Sequence, residues 1–333
     1  MQHWVHQIWY GNHWAKYLLL PFSLLFAVIT SLRRRLFSLG LKAQTSLPVP
    51  VIVVGNITAG GSGKTPTVLY LIELLRAEGY RPGVISRGYG VSITAPRWVS
   101  PTDSASDVGD EPAMLVRRSQ VPMVVAPDRI AAAELLLAKA DVDVIICDDG
   151  LQHYRLARDI EIIVVDGDRR VGNGYLLPAG PLREGPWRLN TTEFVIANGT
   201  AAAGEYPMML INAGLFHLDG QRSAHLDDPA VVAMAAIGNP ERFFASLVQQ
   251  GYQLVRQRAF SDHAPFNETE LISLSAGLPL LMTEKDAVKC RDFAQPHWRY
   301  LAVNAKLTPE FDSRLLSRLA DVVATKKGNS HGV

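Results

Sequence analysis

From residue 51 onward, short runs of Val and Ile alternate with stretches whose apolar residues recur every three or four positions. Val51–Val54, Gly83–Ser86, Val121–Val125, Val142–Cys147 and Ile160–Val165 have the makeup of strands buried on both faces. Helical spacing lies between most of them, as in the apolar positions from Val68 to Leu75 and in Arg129–Ala140. This alternation predicts an α/β fold, a parallel sheet with helices on both faces. A second α/β texture starts near Asn198. Its strand candidates are Met208–Ile211, Val231–Ile237, Leu280–Met282 and Tyr300–Val303, and its helical patterns are Pro240–Gln250, Glu268–Ser275 and Pro309–Leu319. Gly199–Glu205 reads as a linker. The expected division is a main domain over 48–198, a linker over 199–205 and a smaller α/β domain over 206–333, preceded by an apolar region over 1–47.

That first region has a different pattern. Tyr17–Leu32 is an apolar run that Pro21 interrupts and Arg33, Arg34 and Arg35 close. It falls short of the roughly 20 residues a spanning helix needs, and no small-residue cleavage site marks a signal peptide. Trp4, Trp9, Tyr10 and Trp14 lie ahead of it. Aromatics before an apolar helix and arginines after it suit a helix in, or dipping into, an anionic membrane surface; the alternative is an ordinary helix packed on the main domain. His3, His6 and His13 have irregular spacing and no nearby Cys or acid, so they do not read as a metal site.

Composition narrows this little. The chain has 333 residues, enough for two domains with their own cores, and a formal net charge of +1, which gives no argument for nucleic-acid binding. Its cysteines, Cys147 and Cys290, are too few for a disulfide scaffold and fit a reducing compartment.

The chemistry concentrates after the first strand. VIVVGNITAGGSGKTPTV, Val51–Val68, runs strand, glycine-rich turn, Gly-Lys-Thr and helix, the context of a phosphate-binding loop. Glycines let backbone N–H groups turn toward an anion, and the helix N-terminus adds partial positive charge. Thr58, Ala59, Gly60, Gly61, Ser62, Gly63, Lys64 and Thr65 are the candidate nucleotide contacts. Lys64 reaches toward the β- and γ-phosphates, and the Thr65 hydroxyl is suited to Mg²⁺. Thr58 stands where the general pattern has its first glycine. Ligands in open parallel sheets bind beyond the carboxyl ends of the strands, and the polar motifs fall there. SRGYG (Ser86–Gly90) closes the second strand, and Asp148-Asp149 closes the fourth in the manner of a Walker B acid. Side chains alternate along a strand, so the two acids should diverge. Asp110, ahead of the helical Ala113–Arg118, reads on composition as a helix cap, and Thr283 with Asp286 reads as another. Asp262-His263 sits in a polar loop, and Gly172–Leu189 is long and rich in Gly and Pro, as functional or mobile loops often are.

Taken together, GNITAGGSGKTP (Gly55–Pro66), SRGYG, GDEP (Gly109–Pro112), DDGLQHYRLARD (Asp148–Asp159), LPAGPLRE (Leu177–Glu184) and TEKDAVKC (Thr283–Cys290) resemble the tetraacyldisaccharide 4′-kinases of lipid A biosynthesis, in the family's order and over nearly the whole chain. The resemblance implies a kinase that uses ATP and Mg²⁺. It would move the γ-phosphoryl group to the 4′-hydroxyl of a tetraacylated glucosamine disaccharide 1-phosphate, giving lipid IVA. It also implies a site at the cytoplasmic face of the inner membrane, held by the N-terminal helix, with no nucleic-acid or protein partner. By the same resemblance Asp110 acts in catalysis with His263, alongside Lys64. Thr65, Asp148, Asp149 and Glu184 surround the metal, and Tyr89, Gln152, His153 and Arg183 line the site. A second histidine often found in the family is Ala264 here. Because Asp110 and His263 fall in different expected domains, domain closure is expected to assemble the site.

The rival reading is a P-loop ATPase or GTPase switch acting on a protein partner. Thr283-Glu284-Lys285-Asp286 is only a superficial echo of a guanine motif. A P-loop kinase for a soluble metabolite leaves Tyr17–Leu32 unexplained.

Overall fold

The computed structural model describes residues 2–330. α1 (Gln2–Tyr10) and α2 (Ala15–Ser38) precede β1 (Val51–Gly55), α3 (Lys64–Ala77), β2 (Pro82–Ser86), β3 (Arg97–Trp98), α4 (Ala105–Val108), α5 (Asp110–Ser119), β4 (Met123–Val125), α6 (Arg129–Lys139), β5 (Val144–Asp148) and β6 (Ile160–Asp166). α7 (Arg188–Thr191), β7 (Phe194–Asn198), β8 (Tyr206–His217), β9 (Ala230–Ala235), α8 (Pro240–Gln249) and β10 (Gln253–Ala259) follow. α9 (Glu268–Ser275), β11 (Leu280–Thr283), α10 (Glu284–Cys290), β12 (Trp298–Lys306) and α11 (Pro309–Ser330) end the described chain.

The strands form one sheet in the order β10-β9-β11-β12-β8-β7-β6-β1-β5-β2-β4-β3. β1 is central, parallel to β5 on one side and β6 on the other. Val51 to Val54 are fully buried, which is why this strand is apolar at every position rather than at alternate ones. Each such side chain contributes about 1.5–3 kcal/mol by leaving water. α3 and α5 cover one face of this half, and α6 with Leu151, Leu156 and Leu182 covers the other. β8 joins the halves. Its start, Tyr206–Met208, pairs parallel with β7, and Met209–His217 pairs antiparallel with β12. The expected linker, 199–205, is the connection between β7 and β8. The two sides also exchange an element. α11 returns to the first half, where Phe311 packs edge-on to Phe194 and Tyr206, and Tyr70 donates to Asp312 at 2.6 Å.

Three strands lie outside the expected set. β3 has two residues, and β7 follows directly on a polar stretch. β10 is an edge strand with mostly exposed positions, so it carries no apolar alternation.

α2 is longer than the apolar run suggested. It continues through Pro21 and Arg33–Arg35 for 24 residues, a length and composition able to cross a membrane. Pro21 removes one backbone donor without ending the helix. One side of α2 is tied to the 172–189 segment. Ser23 Oγ donates to Leu176 O (2.8 Å) and accepts from Ala179 N (3.0 Å), and the Arg34 guanidinium lies 4.0 Å from the Trp187 ring centre. On the other side Trp14, Tyr17, Leu18, Phe22, Leu24, Leu25, Val28, Ile29 and Leu32 are each more than half exposed.

Candidate active site

The glycine-rich turn leaves β1 and is pinned along its first half. Ile57 O accepts from Arg183 N (2.7 Å), Thr58 bridges Leu182, and Ala59 N donates to Pro181 O (2.7 Å). Thr58 is buried in this pairing, and the Ala59 N–H is already committed to the protein. Gly60 and Gly61 are exposed beyond it. Gly63 caps α3 at φ 103°, and a Cβ there would lie 2.8 Å from Asn198 Nδ2, so both backbone and space require glycine. Asn198 Nδ2 donates to Ser62 O (3.3 Å), bracing the loop from β7. Gly238 reaches it from the second half; a Cβ there would meet Gly61 N at 2.5 Å. Lys64 and Thr65 open α3, partly buried at the loop's mouth.

Pairing of Val54 with Asp148 sets the end of β5 level with the start of this loop. Asp149 follows beyond the strand end with φ 48°, and this left-handed turn gives the two carboxylates different partners. Asp148 turns inward and is 1% exposed. One of its oxygens is 3.5 Å from Ser86 Oγ, and the other is buried without a hydrogen-bond partner among the described residues. Burial, with Glu111 and Asp149 nearby, pushes its pKa up to about 7. A buried carboxylate oxygen without a donor suits a hard cation. Mg²⁺ commonly takes one or two carboxylates and completes its shell with phosphate oxygens and water, so the residues fit that ion. Asp149 instead faces Lys64 Nζ at 3.5 Å and Arg183 Nη1 at 3.3 Å. Burial pushes its carboxyl up, but Lys64 and Arg183 outweigh that and hold it below the usual range.

Asp110 is the first residue of α5, and Gly109 at φ 97° occupies the cap position. The Asp110 side chain is therefore not a cap. It turns to His263, whose Nδ1 lies 3.1 Å from Asp110 Oδ2. Arg118 of α5 pairs with Glu284 (2.6 Å) and donates to Val303 O (2.9 Å), so α5 is docked on the second half. With the halves sharing one sheet, the pair is already formed, and the closure expected from sequence is not needed to make it. Burial pushes the Asp110 carboxyl up; the His263 bond and the Lys289 and Lys285 charges outweigh it and lower the pKa. His263 has φ 61°, a left-handed conformation that costs a non-glycine residue about 1–2 kcal/mol. The Tyr89 ring, largely exposed, is centred 5.0 Å from the imidazole.

Glu184 is buried, with both carboxylate oxygens engaged by the protein. Gln152 Nε2 donates to its Oε1 (2.7 Å), Tyr154 donates to its Oε2 (3.0 Å), and Arg188 Nε is 3.0 Å from that same oxygen. His153, the next residue, has a buried Nε2 without a partner among the described residues. Burial and the nearby Arg129 push its imidazole down to about 4, so it is neutral at physiological pH.

Three charged residues escaped the reading of the sequence as site residues. Lys285 Nζ lies 3.2 Å from His263 Nε2, Glu111 Oε1 and Asp262 Oδ1. Lys289 is 3.8 Å from Asp110. Glu111 lies beside the cap and Lys285 and Lys289 within TEKDAVKC, where the helix-start pattern accounted for the whole motif. That cap does form, with Asp286 N donating to Thr283 Oγ1 at 3.2 Å.

A family model described as tetraacyldisaccharide-1-P 4′-kinase (LpxK) matches residues 15–320. The chain is 61% identical to the tetraacyldisaccharide 4′-kinase of Shewanella sp. strain W3-18-1, with 100% of both chains covered. To that of Shewanella oneidensis it is 59% identical, again over 100% of both. The structure matches the crystal structure of the “apo” form of LpxK from Aquifex aeolicus in complex with ATP. The TM-score is 0.78 and the identity 29%, over 92% of this chain and 99% of that one.

Proposed function

The chain belongs to the tetraacyldisaccharide-1-P 4′-kinase family and is an ATP-using lipid A 4′-kinase, and from that premise we propose how its residues divide the reaction. Phosphoryl transfer needs in-line positioning and charge neutralisation more than covalent chemistry. Gly60 to Thr65 cradle the phosphates with backbone N–H groups, and Lys64 reaches the β- and γ-phosphates. Ala59 and Thr58 shape the turn, since the 181–183 backbone already engages them. Thr65 and Asp148 are the residues that would hold Mg²⁺, which when bound neutralises charge on the phosphate oxygens. Asp149 aims Lys64. Glu184 acts by holding Gln152, Tyr154 and Arg188 in place rather than as a metal ligand, because both its oxygens are engaged.

Asp110 takes the proton of the sugar 4′-hydroxyl as that oxygen bonds to the γ-phosphorus and the bond to the departing ADP oxygen breaks. General-base help of this kind is worth typically about 10²–10⁴-fold. His263 keeps the carboxylate oriented. Tyr89, Gln152, His153 and Arg183 line the acceptor side. The exposed apolar face of α2, with Arg33 and Arg35 beside it, seats the enzyme on the cytoplasmic face of the inner membrane, where an acylated acceptor resides. Residues 1–47 thus serve the membrane, 48–198 the nucleotide, and 206–333 supply His263.

The observation that carries this reading is the 3.1 Å contact between Asp110 and His263, which are 153 positions apart. ATP turnover with and without the acylated disaccharide phosphate tests it. Turnover should require the lipid, and Asp110→Asn should abolish transfer while ATP still binds. Equal turnover without lipid would return the chain to the class of ATPase switches.

A further inference from the structure

We infer that Lys285 is a positioning residue of this kinase: it caps His263 Nε2 and fixes the ring as the neutral tautomer protonated on Nδ1, so that His263 donates to Asp110 and does not compete for the acceptor's proton. This deepens the role given to Asp110 above and rests on it.

The geometry leaves one arrangement of protons. Lys285 Nζ is 3.2 Å from His263 Nε2, and His263 Nδ1 is 3.1 Å from Asp110 Oδ2. An ammonium has three donors and no acceptor, so the nitrogen facing it presents a lone pair. The ring's single proton is then on Nδ1, opposite a carboxylate oxygen that only accepts. Lys285 has little freedom to turn away. Its other two contacts are Glu111 Oε1 and Asp262 Oδ1, each at 3.2 Å, so three donors meet three acceptors. Burial opposes its charge, but Glu111, Asp262 and Asp110 outweigh burial and raise its pKa above the ordinary lysine value.

The charged and titratable groups around the ring come from each element packed against it. α5 brings Asp110 and Glu111, the loop brings Asp262, α10 brings Lys285 and Lys289, and Ser86–Gly90 brings Tyr89. A second proton on His263 would place an imidazolium against the Lys285 ammonium, and it would tie Asp110 into an ion pair that makes it a poorer base. The left-handed backbone of His263 fits this role, since strain of that kind persists where surrounding contacts over-determine it.

Lys285→Met keeps the side-chain length and removes the ammonium. It should lower kcat about 10- to 100-fold, part of what a general base supplies, while leaving the KM for ATP within about two-fold. The acid limb of its kcat–pH profile should move up relative to the wild type, because no ammonium then stands 3.2 Å from Nε2 to oppose a second proton on the ring. Lys285→Arg, still a donor-only cation, should keep the wild-type limb. Nitrogen NMR of the histidine-labelled full chain, with His263→Asn as the assignment reference, should show a protonated Nδ1 and a bare Nε2 in the wild type. A bare Nδ1 there, or a Lys285→Met profile reduced uniformly with its limb unmoved, overturns the inference. Should Lys285→Met fail to fold, the wild-type spectrum decides alone. Retained transfer by Asp110→Asn would instead remove Asp110 as the base, an outcome the tautomer measurement does not depend on.

Discussion

Lys64 Nζ lies 3.5 Å from Asp149 Oδ1, and Arg183 Nη1 lies 3.3 Å from both oxygens of the same carboxylate. The phosphate-reaching lysine is thus anchored at the loop's mouth by an acid that is itself clamped from the 172–189 segment. The Lys64 side chain is 12% exposed and that of Asp149 32%, so solvent screens the pairing from the acid's side. Lys64→Ala should lower kcat about 10²–10³-fold, the usual loss when a preorganised cation or donor leaves a transition state. Its melting temperature should stay near that of the wild type. Asp149→Asn should cost less and raise the KM for ATP, because Lys64 then lacks its guide. Near-normal turnover by Lys64→Ala would remove it from the site.

Asp148 differs from its neighbour in sign. Its pKa is raised to about 7, first by burial and then by Glu111 and Asp149, whereas an unfolded Asp titrates near about 3.9. Folding therefore favours the protonated form, and this group's contribution to stability declines as pH rises from about 4 through about 7. A cation on the carboxylate opposes that decline, and its binding releases the proton. Magnesium affinity of the nucleotide-loaded protein should accordingly rise between about pH 6 and 8, and Asp148→Asn should flatten the dependence. Calorimetric titration of Mg²⁺ at the two pH values, in buffers of different ionisation heat, reads both the affinity and the proton. Affinity that falls with rising pH would mean that Asp148 is not a ligand.

The parts of this site that were legible in the sequence are those built from neighbours along the chain. Val51–Thr65 contains its own strand, turn and helix start, so its pattern needs nothing distant. Asp148 and Asp149 do part as expected, but through a left-handed turn just past the strand end rather than through strand alternation. The pairing of Asp110 with His263 has no local signature. Read alone, Asp110 looks like a cap, and Gly109 taking that position is a matter of a single backbone angle, φ 97°. Lys285 was hidden for a different reason. Thr283 and Asp286 account for their helix start without the lysine between them, which has no local signature, although it is aimed at His263. The return of α11 to the first core depends on how β8 turns from β7 to β12, which residue periodicity does not encode.

Glu184 gives a test that separates support from metal binding. It is 4% exposed at its side chain, between Gln152, Tyr154 and Arg188. Glu184→Ala leaves Arg188 paired with Glu161 at 2.8 Å and strips Gln152 and Tyr154 of their acceptor, so it should destabilise the fold by about 1–3 kcal/mol. The surviving folded enzyme should show the wild-type dependence on Mg²⁺ concentration. A large rise in the Mg²⁺ requirement, with stability unchanged, would make Glu184 a metal ligand after all.

The exposed face of α2 can be tested without removing the helix. Deleting residues 1–35 would also take away the contacts that Ser23 and Trp9 make with Leu176, Pro178 and Ala179, so lost membrane binding could follow from a disturbed site. Leu25 and Ile29 are 58% and 57% exposed and lie one helical turn apart, away from those contacts. Leu25→Glu together with Ile29→Glu should therefore change stability by little, within about 0.5 kcal/mol per site. Two acids on that face would oppose an anionic surface and replace apolar area that the lipid would bury. The double variant should be released from vesicles of anionic phospholipid in flotation. With detergent-dispersed acceptor, where no surface has to be found, it should keep wild-type kcat. Retention on vesicles would mean that α2 is not what holds the enzyme there.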